Sequence, residues 1–447
     1  MHTATRHFAV LRVSERFAMS QAFGLDFGTS NTVMAQSLEQ GSAATLAFGA
    51  EPDILKGIAT VLSFLDGGAS RAPEPEVGPW AIRQFIEHAG DVRFIQSLKT
   101  FVASRQFKGT GVFGRPFDFE ALMETLISKA FDHLTVPLDP NGARLVVGRP
   151  VIFAGGAPDE MLAMARYRAA LSRLGFGEIL FVYEPVAAAF SFAQRLKNDA
   201  TVLVADFGGG TTDYSLMRFS VEGGHVNATP LGRGGVGIAG DTFDYRIIDN
   251  VILPELGKGS TYRSMGKQLE MPPNLFSNFA RWHLLSVFKT SDDYREMKKL
   301  LRWCDEPEKI EQFIELVEED QGYPLYKSVS DAKARLSSEE SAELRFEPLG
   351  KDFAVTIGRD DFESWISEDL TRMNTALDAT LKDAGLADTD IDQVFLTGGT
   401  SFVPAVRRMF ANRFGQERLA SGEELSSIAT GLAVIGARED AADWAVG

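Results

Sequence analysis

The sequence predicts an α/β protein in two related halves, and three observations carry that expectation. Its 447 residues allow two to four folded units at roughly 150 residues each, and 45% hydrophobic residues supply ordinary buried cores. A strand, a Gly-Thr turn and a returning strand are written twice, at 23–35 and at 201–217. Around the two copies, short apolar runs alternate with stretches of helical spacing, the pattern of strands crossed by helices.

Taken in order, 23–28 is a short strand reaching a turn and 32–35 resumes apolar spacing, which makes a hairpin. The run 145–153 is apolar and of strand length. Residues 158–174 place Met161, Met164, Tyr167, Ala170 and Leu174 at helical spacing. A strand at 179–183 and an alanine-rich helix at 185–196 follow. In the second copy, Val-Leu-Val-Ala-Asp-Phe runs into Gly208, Gly209 and Gly210, then Thr211, Thr212 and Asp213, before a strand restarts at 214–217. Further on, 362–381 is expected as one long helix, 393–397 as a strand, 404–410 as a helix after Gly398 and Gly399, and 427–437 as an apolar closing helix. The stretch 252–330 fits neither half. It has helical stripes, Leu275, Phe279, Trp282 and Leu285 on one face and Ile310, Phe313, Ile314 and Val317 on another. Pro307 suits a helix's first turn and Gly322 its end. These stripes are expected to form the core of an added subdomain.

Acids outnumber bases 61 to 45, a net charge of −16, so a nonspecific grip on nucleic acid or an anionic bilayer is disfavoured and any bound anion must be held locally. One cysteine, Cys304, has no internal disulfide partner, and six scattered histidines show no ligand spacing. A reducing compartment, the cytoplasm, is the expectation. No run of about 18 apolar residues occurs, so no membrane span is expected. Residues 1–20 read as a tail. Arg6, Arg12 and Arg16 interrupt the apolar stretch that a secretory signal needs. An amphipathic import sequence, a disordered tail, and an upstream start with Met19 as the true first residue stay open.

A tight turn of glycines with flanking hydroxyls lets backbone N–H groups approach a phosphate, so 28–30 and 208–212 can each cradle an anion. Either alone is equally an ordinary hairpin turn. Two of them, each preceded by an aspartate at a strand end, point to opposed loops pinching a nucleotide's phosphates while Asp26 and Asp206 hold hydrated Mg²⁺. A third glycine turn, 396–400, sits between a strand and a helix, where a flat ligand or negative charge is accommodated. Neither a P-loop nor a Rossmann fingerprint is present.

Four segments carry a resemblance: Gly-Leu-Asp-Phe-Gly-Thr-Ser-Asn at 24–31, Asp-Phe-Gly-Gly-Gly-Thr-Thr-Asp at 206–213, Tyr-Glu-Pro-Val-Ala-Ala-Ala at 183–189 and Leu-Thr-Gly-Gly-Thr-Ser-Phe-Val-Pro at 396–404. They resemble the phosphate-1, phosphate-2, connect and adenosine motifs of the actin, sugar-kinase and DnaK-type (heat-shock protein 70) superfamily, over about residues 22–440. Ser-Leu-Lys-Thr-Phe at 97–101 resembles the DnaK-type segment with a catalytic lysine, and Ala-Lys-Ala-Arg-Leu-Ser-Ser at 332–338 its adenosine-contacting segment. The chaperone branch is therefore indicated, close to the YegD-type proteins that look like DnaK ATPase domains standing alone.

The resemblance implies a two-lobed actin-like ATPase fold, each lobe on a ribonuclease-H-like mixed sheet. Lobe I would take 21–197 and 420–447, with 58–141 its smaller subdomain. Lobe II would take 198–419, with 239–362 its smaller, helix-rich subdomain, an insertion at about 252–330, and no peptide-binding domain after it. Its cofactors would be ATP or ADP with Mg²⁺. Asp26 and Asp206 would hold the metal through water, Glu184 would orient the hydrated metal and the attacking water, and Lys99 would place its ammonium beside the γ-phosphate, so that Lys99, Glu184 and Asp206 form the catalytic set. Gly28, Thr29, Ser30, Gly208, Gly209, Gly210 and Thr211 would receive the phosphates, and Asp213 matches the end of the phosphate-2 motif. Gly240 and Asp241 fall on the family's Gly-Glu, and Lys333, Ser337, Gly398, Gly399 and Thr400 on the adenosine side. Ser330 stands where the family has an acid, with Asp331 one residue out of register, and Phe402 stands where an arginine lies against adenine.

The function implied is a slowly hydrolysing, ATP-driven conformational switch. An actin- or MreB-like filament protein and a small-molecule kinase are the alternatives, the kinase needing an acceptor pocket and a general base. The implied partners are the nucleotide and an unidentified protein docking through the helical insertion, with no nucleic acid and no membrane. Without the resemblance, Lys99 reads as one more solvated lysine on a helix.

Overall fold

The computed structural model describes residues 21–446 apart from 50–52, 69–70, 89, 156, 194, 223–224, 278, 280–287, 290, 320, 351–352 and 421–424. The tail at 1–20 and the stripe residues Trp282 and Leu285 lie outside the described residues.

Two sheets share one plan. The first contains β1 (Ala22–Phe27), β2 (Asn31–Ser37), β3 (Ala43–Thr45), β4 (Ile58–Ala59), β5 (Arg144–Arg149) and β6 (Glu178–Tyr183), in the order β6-β5-β1-β2-β3 with β4 beside β2. Its central strand β1 is antiparallel to β2 and parallel to β5, and β5 is parallel to β6. The second contains β7 (Ala200–Phe207), β8 (Thr212–Glu222), β9 (His225–Val236), β10 (Gln393–Thr397) and β11 (Leu419–Ala420), in the order β9-β8-β7-β10-β11. There β7 is antiparallel to β8 and parallel to β10, and β10 is parallel to β11. The repeat legible in the sequence is thus a repeat of topology. Asp26 and Asp206 each lie one residue from the end of a central strand, opposite Val33 and Asp213 respectively.

Helices follow where capping and apolar spacing allow. In α1 (Glu160–Leu171), Asp159 accepts a hydrogen bond from the Leu162 N–H at 3.0 Å, satisfying a donor that the first turn leaves free. Strand β5 stops at Arg149, short of the expected 153, because Pro150 has no N–H to give the ladder. From β6 the chain enters α2 (Glu184–Ala193) directly, with Glu184 buried in its first turn. The second lobe adds α3 (Gly240–Ile247), α4 (Gly322–Leu336) and α5 (Pro404–Phe414). The apolar α6 (Ser427–Gly436) then returns to pack on β1 and α2 of the first lobe.

Three expectations need correction. Gly322 does not end a helix: the helix Pro307–Glu318 stops earlier, and Gly322 opens α4, where Pro324 is tolerated because first-turn N–H groups have no intrahelical acceptor. The long helix at 362–381 is two, Arg359–Trp365 and Ser367–Asp383, parted at Ile366 where the Ser367 hydroxyl donates to the Ser364 carbonyl. The stretch 252–330 also holds a β-hairpin, Thr261–Ser264 with Lys267–Glu270, turning at Met265 and Gly266. Its helices share their core with the second lobe, since Leu275, Phe279, Ile310 and Phe313 join Leu203, Phe243 and Leu396 in one buried cluster. No described helix is long and apolar enough to cross a membrane.

Candidate functional site

The two hairpin turns close alike. Gly28 N–H donates to the Asn31 carbonyl at 2.9 Å, and Gly208 N–H to the Thr211 carbonyl at 3.0 Å. They face each other across a cavity of about 280 Å³ between the lobes. At Gly209 a Cβ would lie 2.7 Å from Ser30 Oγ, so the loops approach as closely as they do only because glycine is there. Of the residues singled out in the sequence, Asp26, Gly28, Thr29, Ser30, Lys99, Glu184, Asp206, Gly208, Gly209 and Thr211 line the cavity on the loop side. Gly240, Asp241, Lys333, Ser337, Gly398, Gly399 and Thr400 line it on the other. Gly210 is not among the lining residues; its α-carbon faces Ala154, beyond β5.

Lys99 is no solvated helix residue. It sits in a 3-10 turn, Leu98–Phe101, is 9% exposed, and donates to Glu184 Oε1 at 2.5 Å. Burial, the largest single influence, would push its ammonium down, but Glu184, Tyr167 and Asp26 together outweigh it and hold the group above the ordinary lysine value. The two aspartates are also raised, which for a carboxylate favours the neutral form. Burial, then the charge of Glu184, pushes Asp26 up to about 7, with Lys99 opposing. Asp206 is raised well above the carboxylate range by burial, then by Glu184 and Asp26. One lysine faces three clustered carboxylates, so the floor of the cleft has a deficit of positive charge.

Such a floor suits a cation. All its candidate donors are hard oxygens, as magnesium prefers. Among the described residues no three His, Cys, Asp or Glu side chains are placed to hold an ion directly.

On the far side, α4 presents Tyr326, Ser330, Lys333 and Ser337 to the cleft, a stripe at helical spacing. Lys333 Nζ lies 2.8 Å from Asp244 and 3.1 Å from the Gly240 carbonyl. Sequence reasoning missed Tyr326, whose hydroxyl shares hydrogen bonds with Ser30 of the opposite lobe and with Ser330. Its spacing from Ser330 and Lys333 was the available signal. Nearby, Tyr323 packs on Phe94 at 5.0 Å between ring centroids. Asp331 lines a second cavity of about 320 Å³ that shares Thr29, Ser30, Asn31, Tyr326 and Ser330 with the first. Phe402 is 43% exposed and lines neither cavity.

Asp213, buried on β8, ties the lobes together. It accepts from the Val151 and Ile152 N–H groups of the first lobe at 3.0 and 3.2 Å and from the Thr211 hydroxyl at 2.9 Å. Burial, then Glu184, pushes Asp213 up to about 7. Tyr183, the residue before Glu184, lies between the Arg149 and Arg233 guanidiniums, 4.8 and 4.5 Å from its ring centroid.

Comparison with known proteins agrees with this geometry. The sequence model of the family described as Hsp70 protein matches residues 168–261 and 297–441, leaving out the stretch between that holds the hairpin. The chain is 25% identical over 445 residues to "Chaperone protein HscA homolog" of Aromatoleum aromaticum, covering 95% of this chain and 60% of that one. It is 22% identical over 445 residues to "Heat shock 70 kDa protein 7, chloroplastic" of Arabidopsis thaliana, with 94% and 52% covered. To "Chaperone protein DnaK" of Deinococcus proteolyticus it is 23% identical over 428 residues, with 93% and 59% covered. The chain thus spans between 52% and 60% of the length of these relatives. With more than half of it matched by the family's own model and its two sheets built on one plan around a shared cleft, the chain belongs to the Hsp70 family and has that family's two-lobed, actin-like fold.

Proposed function

We propose that the protein binds ATP with Mg²⁺ in this cleft, hydrolyses it slowly, and passes the resulting change in lobe angle to a protein partner. The observation that carries the proposal is the juxtaposition of two equivalent glycine turns, one from each lobe, over a buried lysine and three carboxylates. Backbone N–H groups and the hydroxyls of Thr29, Ser30 and Thr211 receive the phosphates. Bound magnesium supplies positive charge that offsets the phosphate oxygens. Glu184 orients the attacking water, and the Lys99 ammonium meets the negative charge that moves during cleavage of the terminal phosphate. Gly240, Asp241, Lys333, Ser337, Gly398, Gly399 and Thr400 receive the nucleoside. Because the ligand touches both lobes, loss of a phosphate alters what holds them together, and the helical stretch at 252–330 is the surface through which a partner reads it. A cytoplasmic setting suits the single thiol.

The test is thermal melting with ATP and magnesium separately and together. A ligand confined to the folded form adds about 2.7 kcal/mol at a hundredfold excess over Kd. The melting temperature is expected to rise most with both present, and no rise at millimolar Mg-ATP would remove the proposal.

A further inference from the structure

Lys99 depends on more than Glu184 to stay in place. Its ammonium has three N–H donors, and Glu184 Oε1 takes one at 2.5 Å. The chain that follows the Lys99 turn is bolted to α1. Buried Arg166 donates to the carbonyls of Phe101, Val102 and Ser104 at 3.0, 2.9 and 3.1 Å, and also to that of Phe107. The next residue on α1 is Tyr167. Its ring is boxed by Phe27, Phe153 and Phe181, with centroids 6.3, 6.2 and 6.2 Å away, and the side chain is fully buried. A ring held so cannot swing to find a hydrogen bond elsewhere. Its hydroxyl has no partner among the described residues, yet it lies within electrostatic reach of Lys99, Glu184 and Asp26. Phenylalanine would fill the same box without stranding a hydroxyl, so packing alone does not account for tyrosine. The Lys99 turn is itself short of bonds. Gln96 Oε1, Ser97 Oγ and Thr100 Oγ1 lack partners too, and Ser97 holds a left-handed φ of 50°. Unmet bonds and a strained residue around one functional side chain mark a segment with a second arrangement.

We propose that the Tyr167 hydroxyl is a positioning group for Lys99, accepting one of the ammonium's free donors when nucleotide in the cleft draws Glu184 away from the lysine. Glu184 cannot both anchor Lys99 and orient the attacking water. When its carboxylate turns to the water, the ammonium needs another acceptor to stay aimed at the phosphates. A neutral phenol provides one without cancelling the lysine's charge, as a second carboxylate would. Burial, the largest influence on Tyr167, keeps it protonated. Its own O–H remains available to donate toward Glu184. The inference rests on the catalytic reading of Lys99.

The experiment uses the full chain and three variants, Tyr167→Phe, Lys99→Ala and the double. Single-turnover hydrolysis, ATP affinity and melting without nucleotide are measured for each. Tyr167→Phe is expected to melt no lower than wild type and to bind ATP about equally, since a buried hydroxyl without a bond contributes nothing to the fold. Its hydrolysis is expected to slow by about tenfold, the loss of one hydrogen bond to a charged group. In the Lys99→Ala background the same change is expected to add nothing, because the group it positions is gone. Slow Lys99→Ala beside unaltered Tyr167→Phe overturns this inference alone, as does equal slowing by Tyr167→Phe with and without Lys99. Wild-type hydrolysis in Lys99→Ala overturns the catalytic reading and the inference together.

Discussion

Lys99 and the aspartates bring opposite charges into one small volume, and replacing them separates turnover from binding. Lys99→Ala is expected to lower single-turnover hydrolysis about 100-fold or more while ATP affinity stays within several-fold, because an ammonium that meets charge in the transition state is felt mainly there. Asp206→Asn removes a carboxylate that acts through hydrated metal, so titrations of ATP at several magnesium concentrations are expected to show weaker affinity and a lost magnesium dependence. Asp26 adds a pH signature. Burial and the charge of Glu184 push its folded-state pKa up to about 7, from an ordinary value of 3.8. Between those limits the folded protein keeps a proton that the unfolded chain has released, so this group's contribution to unliganded stability declines as pH rises through the window and levels off above it. Asp26→Asn carries no such equilibrium. Melting scans without nucleotide are expected to place it above wild type at pH 8, with the gap closing toward pH 4. With Mg-ATP at pH 8 the order is expected to reverse.

At the scale of elements, α6 and α2 decide where Glu184 sits. They cross at Gly431, where a Cβ would lie 1.7 Å from the Ala187 carbonyl oxygen. Gly431→Ala is therefore expected to pry the helices apart, costing about 1–3 kcal/mol by denaturant unfolding and slowing hydrolysis through Glu184 although the residue touches no ligand. How much of this was legible in the chain varies with the element. The hairpins β1–β2 and β7–β8 were, because alternation and glycine turns are local signals, whereas the matching strand orders arise from pairings between segments more than a hundred residues apart. The hairpin Thr261–Ser264 with Lys267–Glu270 escaped notice because its second strand is exposed throughout and holds a single apolar residue, Leu269, too few to show alternation. Gly322 misled since glycine marks helix ends more often than starts. Lys99 was found only through its motif, for nothing in Ser-Leu-Lys-Thr-Phe foretells a buried lysine. Tyr167 stood in an apolar stripe, where tyrosine and phenylalanine look alike. What separates them is the charge beside the hydroxyl, and that charge comes from elements distant in sequence.

On the scale of the whole molecule, each lobe has its own apolar core, and the two meet at a third buried cluster, where Val186, Ala187 and Phe190 of α2 and Leu432 of α6 join Val202, Val204, Met217 and Phe219 of the second sheet, as well as at the polar contacts of Asp213. The path of the chain is less even-handed than the paired sheets. It begins in the first lobe at β1, runs out after α2 to build the second, and comes back through α6, so the second lobe is one long excursion from the first. Both described ends are fastened within the first lobe: the Arg144 guanidinium donates to the carbonyls of Gly436 and Arg438 at 2.6 and 3.3 Å, and the Arg144 N–H donates to the Gln21 carbonyl at 3.0 Å. Tension applied between residues 21 and 446 consequently enters through α6 and the central strand β1, and reaches β7 only after they have yielded. In optical-tweezers pulling from those positions, the first lobe is expected to rip before the second, leaving an intermediate that retains the strands β7 to β11. A first rip with the contour length of the second lobe would show that the returning helix bears no load.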